Sequence, residues 1–469
     1  MIPPKNVPRP AAPPLSGNAP IPGLVTDLYE LTMAASYFEN RMTDRAAFSL
    51  FVRGYPPGRR YFVSAGLEDV LDYLKNLRFG KDEIRYLDGL GLFSREFLSY
   101  LGEFRFTGEV FAIPEGRLFF ADEPVLEVEA PLIEAQVVET CLINIINLQS
   151  MIATKASRCL QAAGARRLVD FSLRRTQGTE AGLKVARASF IGGFVGTSNL
   201  LAGEAYGLSV FGTMAHSFIT SFDKEIDAFR AYVKTFPENA ILLIDTYDTL
   251  AGAAKAAEVG KEMAARGESL RGVRLDSGDI ARLSQKVRQI LVQAGLGGAA
   301  IFASGALDEK KIARLIRRGA DVDAFGVGTK MGVSADAPYL DMAYKMVDLG
   351  GRPVLKLSSG KTSLGGKKQI FRVTGPGGQL VKDVIGLREE TLPGERLLQK
   401  VMSWGEIVGR RLTLPEIQST FLAEFGRLDE KYRKLEDDRP HFPVSLSPSL
   451  RRLQARTIRR ICEQELGES

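Results

Sequence analysis

Residues 271–305 read RGVRLDSGDIARLSQKVRQILVQAGLGGAAIFASG. An apolar run, RGVRLD, gives way to a helical segment, IARLSQKVRQILVQAG, and a second apolar run, AAIFAS, follows. This is one strand–helix–strand unit, and the crossover helix makes its two strands parallel. The same texture extends in both directions. Upstream, RRLVDF precedes a helix near 179–189, GGFVGTSN one near 199–206, LSVFGTM the segment DKEIDAFRAYVKTF, and AILLIDTY an alanine-rich helix. Downstream, DEKKIARLIRRG follows AAIFAS, and VDAFGVG closes the series. About seven βα units result.

Their distinctive polar residues fall at the C-terminal ends of the strands. They are Asp170 and Arg174; Thr197 and Ser198; His216; Asp245 and Asp248; Arg274, Asp276 and Asp279; Ser304 and Gly305; and Gly326, Gly328 and Thr329. A closed α/β barrel gathers those ends at one mouth, whereas an open doubly wound sheet gathers only the ends at its switch point. Seven decorated ends favour an irregular (β/α) barrel of about seven strands.

The flanks have a different character. TDLYELTMAASYF (26–38) reads as a helix with Thr26 or Asp27 as cap, 46–52 as a strand, 64–102 as helical, and 106–131 as an antiparallel meander broken by Pro and Gly. A long helix is expected from 132 to about 163. Past 345, IFRV and KDVIGL look like strands that complete the meander, and helices near 414–434 and 448–466 finish the chain. The expected organisation is a Pro-rich disordered leader, 1–22; a discontinuous α+β domain, 23–140 completed by 346–410; the barrel, 141–345; and a helical C-terminal extension, 411–469.

Bulk properties narrow the functional class. With 469 residues and 45% hydrophobic composition, the chain has material for two to three globular domains. Its 62 basic and 56 acidic residues give a net charge of +6, modest for this length. The one basic cluster, Arg451, Arg452, Arg456, Arg459 and Arg460, reads as a solvated helix face rather than a nucleic-acid surface. No apolar run reaches the roughly 18 residues of a membrane span, and the leader has no signal-peptide core. Three cysteines, Cys141, Cys159 and Cys462, show no metal or redox spacing, as in a reducing cytoplasm.

The strand ends suggest anionic substrates. RLDSGDI, ASGALDEKK and FGVGTK each pair glycines with a loop or helix start, where backbone N–H groups approach phosphate. Asp245, Asp276 and Asp279 have chemistry for Mg²⁺ or ribose hydroxyls, while plain helix capping would also explain them. In DFSLRRT, Phe171 with Arg174 and Arg175 suits a planar aromatic anion, by stacking and paired donors. His216 is one of only two histidines. At a strand end, one unit before Asp245, it has the chemistry of a nucleophile or general base.

TDLYELTM, EGRLFFADEPVLEVEAPLIEAQVVET, DFSLRRTQG, GTSNLLAG, GTMAHSF, IDTYDT, VRLDSGD, SGALDE and FGVGTK form an ordered series across 24–372. As a set it is similar to nicotinate phosphoribosyltransferase. The resemblance implies a type II phosphoribosyltransferase fold and a homodimer with composite sites. Nicotinate and phosphoribosyl pyrophosphate would become nicotinate mononucleotide and pyrophosphate, the first step of NAD salvage from nicotinate, with ATP hydrolysed and Mg²⁺ present. It implies that ATP phosphorylates His216, oriented by Asp245. Phe171 and a neighbouring subunit's Tyr29 would sandwich the pyridine. Arg174 and Arg274 would bind diphosphate and carboxylate, in an order the resemblance leaves open. Ser198 would lie by the carboxylate, and Asp276 would contact ribose or Mg²⁺, the latter shared with Asp245. Ser304, Gly305, Gly328 and Thr329 would hold the 5′-phosphate. Ser172 stands where the family's FGLRR form has glycine. Relatives acting on the amide are expected to carry aspartate where Ser198 stands, so acid is favoured over nicotinamide. Two rival activities are quinolinate phosphoribosyl transfer and a barrel lyase reaction with Lys330 as Schiff-base residue.

Overall fold

The computed structural model describes residues 21–357, 363–435 and 440–467. The expected leader thus falls almost wholly outside the described residues, as do residues 358–362. The chain divides into two compact units, one formed by residues up to Met151 together with those from Tyr339 onward, the other by Ile152–Pro338. Among the described residues no helix is long and apolar enough to cross a membrane. All three cysteines are free thiols, Cys141 and Cys159 buried.

The discontinuous unit is built on a seven-stranded antiparallel sheet. Its order is Arg352–Pro353, Met342–Leu349, Arg45–Val52, Pro124–Pro131, Glu109–Ala112, Gln399–Ser403 and Glu406–Ile407. Arg45–Val52 is buried along nearly its whole length because sheet partners flank it and both faces are covered. The strands around IFRV and KDVIGL do not join this sheet. Lys368–Thr374 and Leu380–Leu387 pair with each other and with Glu395–Arg396 and Val444–Leu446 in a separate four-stranded sheet. Residue alternation shows that a segment is a strand, but not which edge it will find. The long helical stretch 64–102 is three helices, Leu67–Asn76, Lys81–Gly89 and Arg95–Gly102. Local caps separate them: the Gly80 N–H donates to Glu83 Oε2 at 2.6 Å, and Ser94 Oγ accepts from the Phe97 N–H at 3.2 Å.

The continuous unit carries six parallel strands in the order Gly196–Thr197, Arg167–Asp170, Ala324–Val327, Ala300–Ala303, Gly272–Leu275 and Ile241–Leu243. The last strand in sequence thus pairs with the first. The strands are short and almost wholly buried, as expected of parallel strands covered on both faces. The sequence leads one to expect a seventh strand at LSVFGTM. The chain there makes only an isolated parallel bridge, Val210 to Thr197, and residues 211–215 belong to no regular element. Its neighbour Gly196–Thr197 is two residues long and offers little ladder to extend. The pairing described runs from Val210 around to Ile241–Leu243 and leaves one seam between them. Helices Thr179–Ile191, Leu200–Tyr206, Glu225–Thr235, Thr249–Ala265, Ile280–Gln293 and Glu309–Arg317 follow the strands. Asp248 does cap its helix, accepting from the Leu250 and Ala251 N–H groups at 3.0 and 2.8 Å.

Candidate active site

Phe171 follows the strand Arg167–Asp170, and its N–H donates to Val327 O at 2.9 Å. Its ring lies 5.5 Å from that of Phe302, centroid to centroid, and the Arg274 guanidinium carbon lies 5.7 Å from the ring centroid. The ring fits because position 326 is glycine: a β-carbon there would come within 2.6 Å of Phe171 and 2.8 Å of Phe302. This is a half-buried aromatic face with a cation beside it.

Arg274, in the strand Gly272–Leu275, is the hub of the cluster. It donates to Ser304 Oγ at 2.9 Å, Thr213 Oγ1 at 3.0 Å, Met214 O at 3.2 Å and Asp276 Oδ1 at 2.9 Å. Four acceptors fix the plane of the guanidinium, which a lysine ammonium cannot reproduce. Burial opposes ionisation of Asp276, but hydrogen bonds from Ser304 and Arg274, with the positive potential of Arg274 and His216, hold its carboxyl below the usual range. Gly305 has φ +96°, and a β-carbon there would lie 1.9 Å from Asp276 O. Glycine is needed both for the backbone and for the close approach.

His216 is exposed at the start of the short helix His216–Thr220. The partner expected from the sequence is Asp245. The structure places Thr246 there instead, with His216 Nδ1 3.1 Å from Thr246 Oγ1. Successive residues leaving a strand point to opposite sides, and Asp245 turns toward the neighbouring strand end. Its Oδ2 accepts from the Asp276 N–H at 2.9 Å and from Ser277 Oγ at 2.6 Å, whereas its Oδ1 is buried with no hydrogen-bond partner. Among the described residues no group of three or more His, Cys, Asp or Glu side chains forms a metal cage. A buried, unpaired carboxylate oxygen at a phosphate-type mouth still fits Mg²⁺, which takes one or two carboxylates and completes its shell with substrate oxygens and water.

The remaining expected residues are placed as follows. Arg174 lies in the turn Leu173–Arg175, exposed, without a hydrogen bond or ion pair among the described residues. Ser198 is half-buried, and its N–H donates to Asp170 O at 2.8 Å. Ser304 is buried against Arg274 and Asp276. Gly328 leads into the short turn Thr329–Gly332, where Thr329 is exposed. Asp279 pairs with Arg318 at 2.8 Å and stands apart from the cluster. Tyr29 belongs to the other unit, exposed on the helix Leu28–Glu39, with burial and the Glu139 carboxylate pushing its phenol pKa up. Lys330 donates to Asp308 at 2.6 Å, and that hydrogen bond raises its pKa. A Schiff-base lysine requires the opposite shift, so the lyase reading loses its nucleophile.

Sequence reasoning missed three contributors, the hydroxyls of Thr213, Thr246 and Ser277. All lie within motifs already singled out. Neutral hydroxyls carry no pattern of their own.

A model of the nicotinate phosphoribosyltransferase N-terminal domain matches residues 24–147, and one of the nicotinate phosphoribosyltransferase family matches residues 166–375. A nicotinate phosphoribosyltransferase of Mycobacterium tuberculosis is 47% identical over 425 residues, covering 90% of this chain and 91% of its own. The chain belongs to the nicotinate phosphoribosyltransferase family. A Bacillus subtilis member of that name is 40% identical over 386 residues, covering 80% of this chain and 78% of its own. The crystal structure of human nicotinic acid phosphoribosyltransferase superposes with TM-score 0.81 at 29% identity, covering 92% of this chain and 99% of that one. In this nicotinate phosphoribosyltransferase family member, Ser172 takes φ −93° and ψ −22°, a conformation open to any residue, so a side chain at that position costs no backbone strain.

Proposed function

We infer that this chain is a nicotinate phosphoribosyltransferase: it joins nicotinate to the phosphoribosyl group of phosphoribosyl pyrophosphate, releasing pyrophosphate, in a step coupled to ATP hydrolysis. The observation that carries the reading is the half-buried Phe171 face with the Arg274 guanidinium held beside it. A pyridine ring stacks on such a face. The pyridine nitrogen carries its own lone pair, so the new bond to ribose C1 forms without a general base. The C1–O bond breaks, and the diphosphate leaves with the electron pair. Catalysis then consists of aligning nitrogen with C1 and stabilising the charge on the departing diphosphate.

Arg274 and Arg174 share the two anions, carboxylate and diphosphate. Asp276, held ionised, suits the ribose hydroxyls and the positive charge that develops at C1. Ser304, Gly305, Gly328 and Thr329 cradle the 5′-phosphate. Asp245 Oδ1 and Asp276 would hold Mg²⁺, which when bound supplies positive charge to the diphosphate. Ser198 leaves nicotinate's carboxylate unopposed, whereas aspartate there would repel it. A second copy of the chain supplies Tyr29 to the open face of the pyridine. Three free thiols accord with a cytoplasmic enzyme.

With Nδ1 turned to Thr246, the Nε2 atom of His216 is the open nitrogen. It takes the γ-phosphoryl group of ATP, the bond to the bridging oxygen breaks, and ADP departs. The phosphorylated enzyme binds its substrates more tightly, and later hydrolysis of the phosphoryl group resets it.

The test is product formation with phosphoribosyl pyrophosphate, Mg²⁺ and, separately, nicotinate, nicotinamide or quinolinate, each with and without ATP. Mononucleotide from nicotinate, raised by ATP with ADP appearing, is expected. His216→Ala is expected to fold and to lose ATP hydrolysis and its stimulation of transfer. Turnover of nicotinamide or quinolinate in preference to nicotinate refutes the substrate assignment, and indifference to ATP refutes the role of His216.

A further inference from the structure

One carboxylate beside the pyridine platform has no part in the chemistry above. Asp170 ends the strand Arg167–Asp170, is 1% exposed, and forms no ion pair among the described residues. A buried carboxylate without a cation is costly unless donors converge on it. Here three do. Its Oδ1 accepts from the Ser172 N–H at 2.9 Å and from Ser172 Oγ at 2.5 Å, and its Oδ2 accepts from Thr197 Oγ1 at 2.7 Å.

The two halves of this network share a design. Asp170 accepting the N–H two residues ahead closes a side-chain turn with Phe171 at its centre. On the adjacent strand end, Thr197 Oγ1 accepts the Asn199 N–H at 3.0 Å, closing a second turn with Ser198 at its centre. Thr197 Oγ1 gives its hydrogen to Asp170, so one carboxylate anchors both turns. The main chain ties them again, through the Ser198 N–H to Asp170 O at 2.8 Å. The Ser172 hydroxyl adds a donor to this carboxylate that a glycine there would lack.

We propose that Asp170 is a positioning residue that fixes the Phe171 ring relative to Ser198, and so sets both affinity for the pyridine and choice between its acid and its amide. The proposal rests on the substrate reading above, in which Phe171 stacks on the pyridine and Ser198 lies by its carboxylate. Asp170 acts through its neighbours and touches no reacting atom.

Thr197→Val keeps the shape and removes the hydroxyl, and with it both the hydrogen bond to Asp170 and the acceptor of the Asn199 N–H. It is expected to raise KM for nicotinate about tenfold, leave KM for phosphoribosyl pyrophosphate within about twofold, and narrow the preference for nicotinate over nicotinamide. Thr197→Ser, which restores the hydroxyl, is expected to recover wild-type values. Ser172→Ala keeps the backbone donor and is expected to raise KM for nicotinate about threefold, which supplies a readout if Thr197→Val folds poorly. Ile301→Val, a buried strand substitution outside the site, serves as the control that lowers melting temperature without moving either KM. The proposal is overturned if Thr197→Val and Ser172→Ala lower melting temperature like the control while both KM values stay put, or if the two KM values rise together. A wild-type chain that does not turn over nicotinate refutes the substrate reading instead, and the positioning role with it.

Discussion

Adding one methyl group at Gly326 tests whether the Phe171 ring is the platform on which transfer depends. Gly326 lies in the strand Ala324–Val327, outside the positive-φ glycines, so Gly326→Ala introduces no backbone strain. The whole effect is steric. The new carbon would sit 2.6 and 2.7 Å from two Phe171 ring carbons and 2.8 Å from Phe302. An ordinary carbon contact is about 3.5–4.0 Å, so the Phe171 ring must retreat by roughly 1 Å. Overpacking of this kind costs about 1–3 kcal/mol in stability, which a two-unit chain of this size survives. A 1 Å misplacement of a positioned group costs about 100-fold in rate. The expected result is a folded variant with modestly lowered melting temperature, kcat/KM for nicotinate reduced about 100-fold, and protection by phosphoribosyl pyrophosphate in thermal denaturation retained. Steady-state kinetics beside a thermal-shift titration reads both. A Gly326→Ala enzyme with wild-type kcat/KM for nicotinate would refute the platform, because the clash leaves the ring nowhere to stay.

Three further substitutions probe other parts of the molecule. Arg274→Lys keeps the charge but loses most of the fork that grips Ser304, Thr213, Met214 and Asp276, and is expected to lower kcat/KM about 100-fold, measured in the product assay. Gly305→Ala meets Asp276 O at 1.9 Å and a φ of +96°, so it is expected to lower melting temperature and abolish thermal protection by phosphoribosyl pyrophosphate. Burial raises the Glu30 carboxyl from 4.5 to about 7, against hydrogen bonds from Thr140 and Thr26. With the folded-state value raised, its stabilisation is fully present below about pH 4.5 and is lost as pH rises through 7, by roughly 3 kcal/mol. Denaturant melts from pH 5 to 8 are expected to show that slope in the wild type and a weaker one in Glu30→Gln.

The parallel strands were legible because each is a short apolar run closed by polar residues, as RGVRLD and AAIFAS are. The expected strand at LSVFGTM is apolar too, yet Val210 and Phe211 are exposed and the segment makes only an isolated bridge, because its neighbour is too short to hold it. Pairing between distant segments was equally invisible: nothing local in IFRV says that it faces KDVIGL and Glu395–Arg396 rather than the meander. At the site, Phe171, Arg274, Asp276 and Ser304 were legible through charge and aromaticity, and the structure brings them into contact. The resemblance pairs His216 with Asp245, whereas the structure sets its Nδ1 against Thr246 Oγ1. A carboxylate draws attention in a sequence, but the alternating directions of Asp245 and Thr246 gave the imidazole to the hydroxyl.

The sheet of the discontinuous unit has a consequence for how this chain is made. Arg45–Val52 pairs on one side with Pro124–Pro131, available early, and on the other with Met342–Leu349, which emerges only after the whole of Ile152–Pro338. At roughly 5–20 residues per second, about 190 intervening residues take the ribosome ~10–40 s. Throughout that interval a nascent sheet containing Arg45–Val52 presents an open, apolar edge, the feature most prone to pairing with a wrong chain. The inserted unit, whose strands are all contiguous in sequence, is free to fold in the meantime. Slow translation through its codons prolongs the exposure, and chaperone demand during synthesis follows from where the strands lie along the chain.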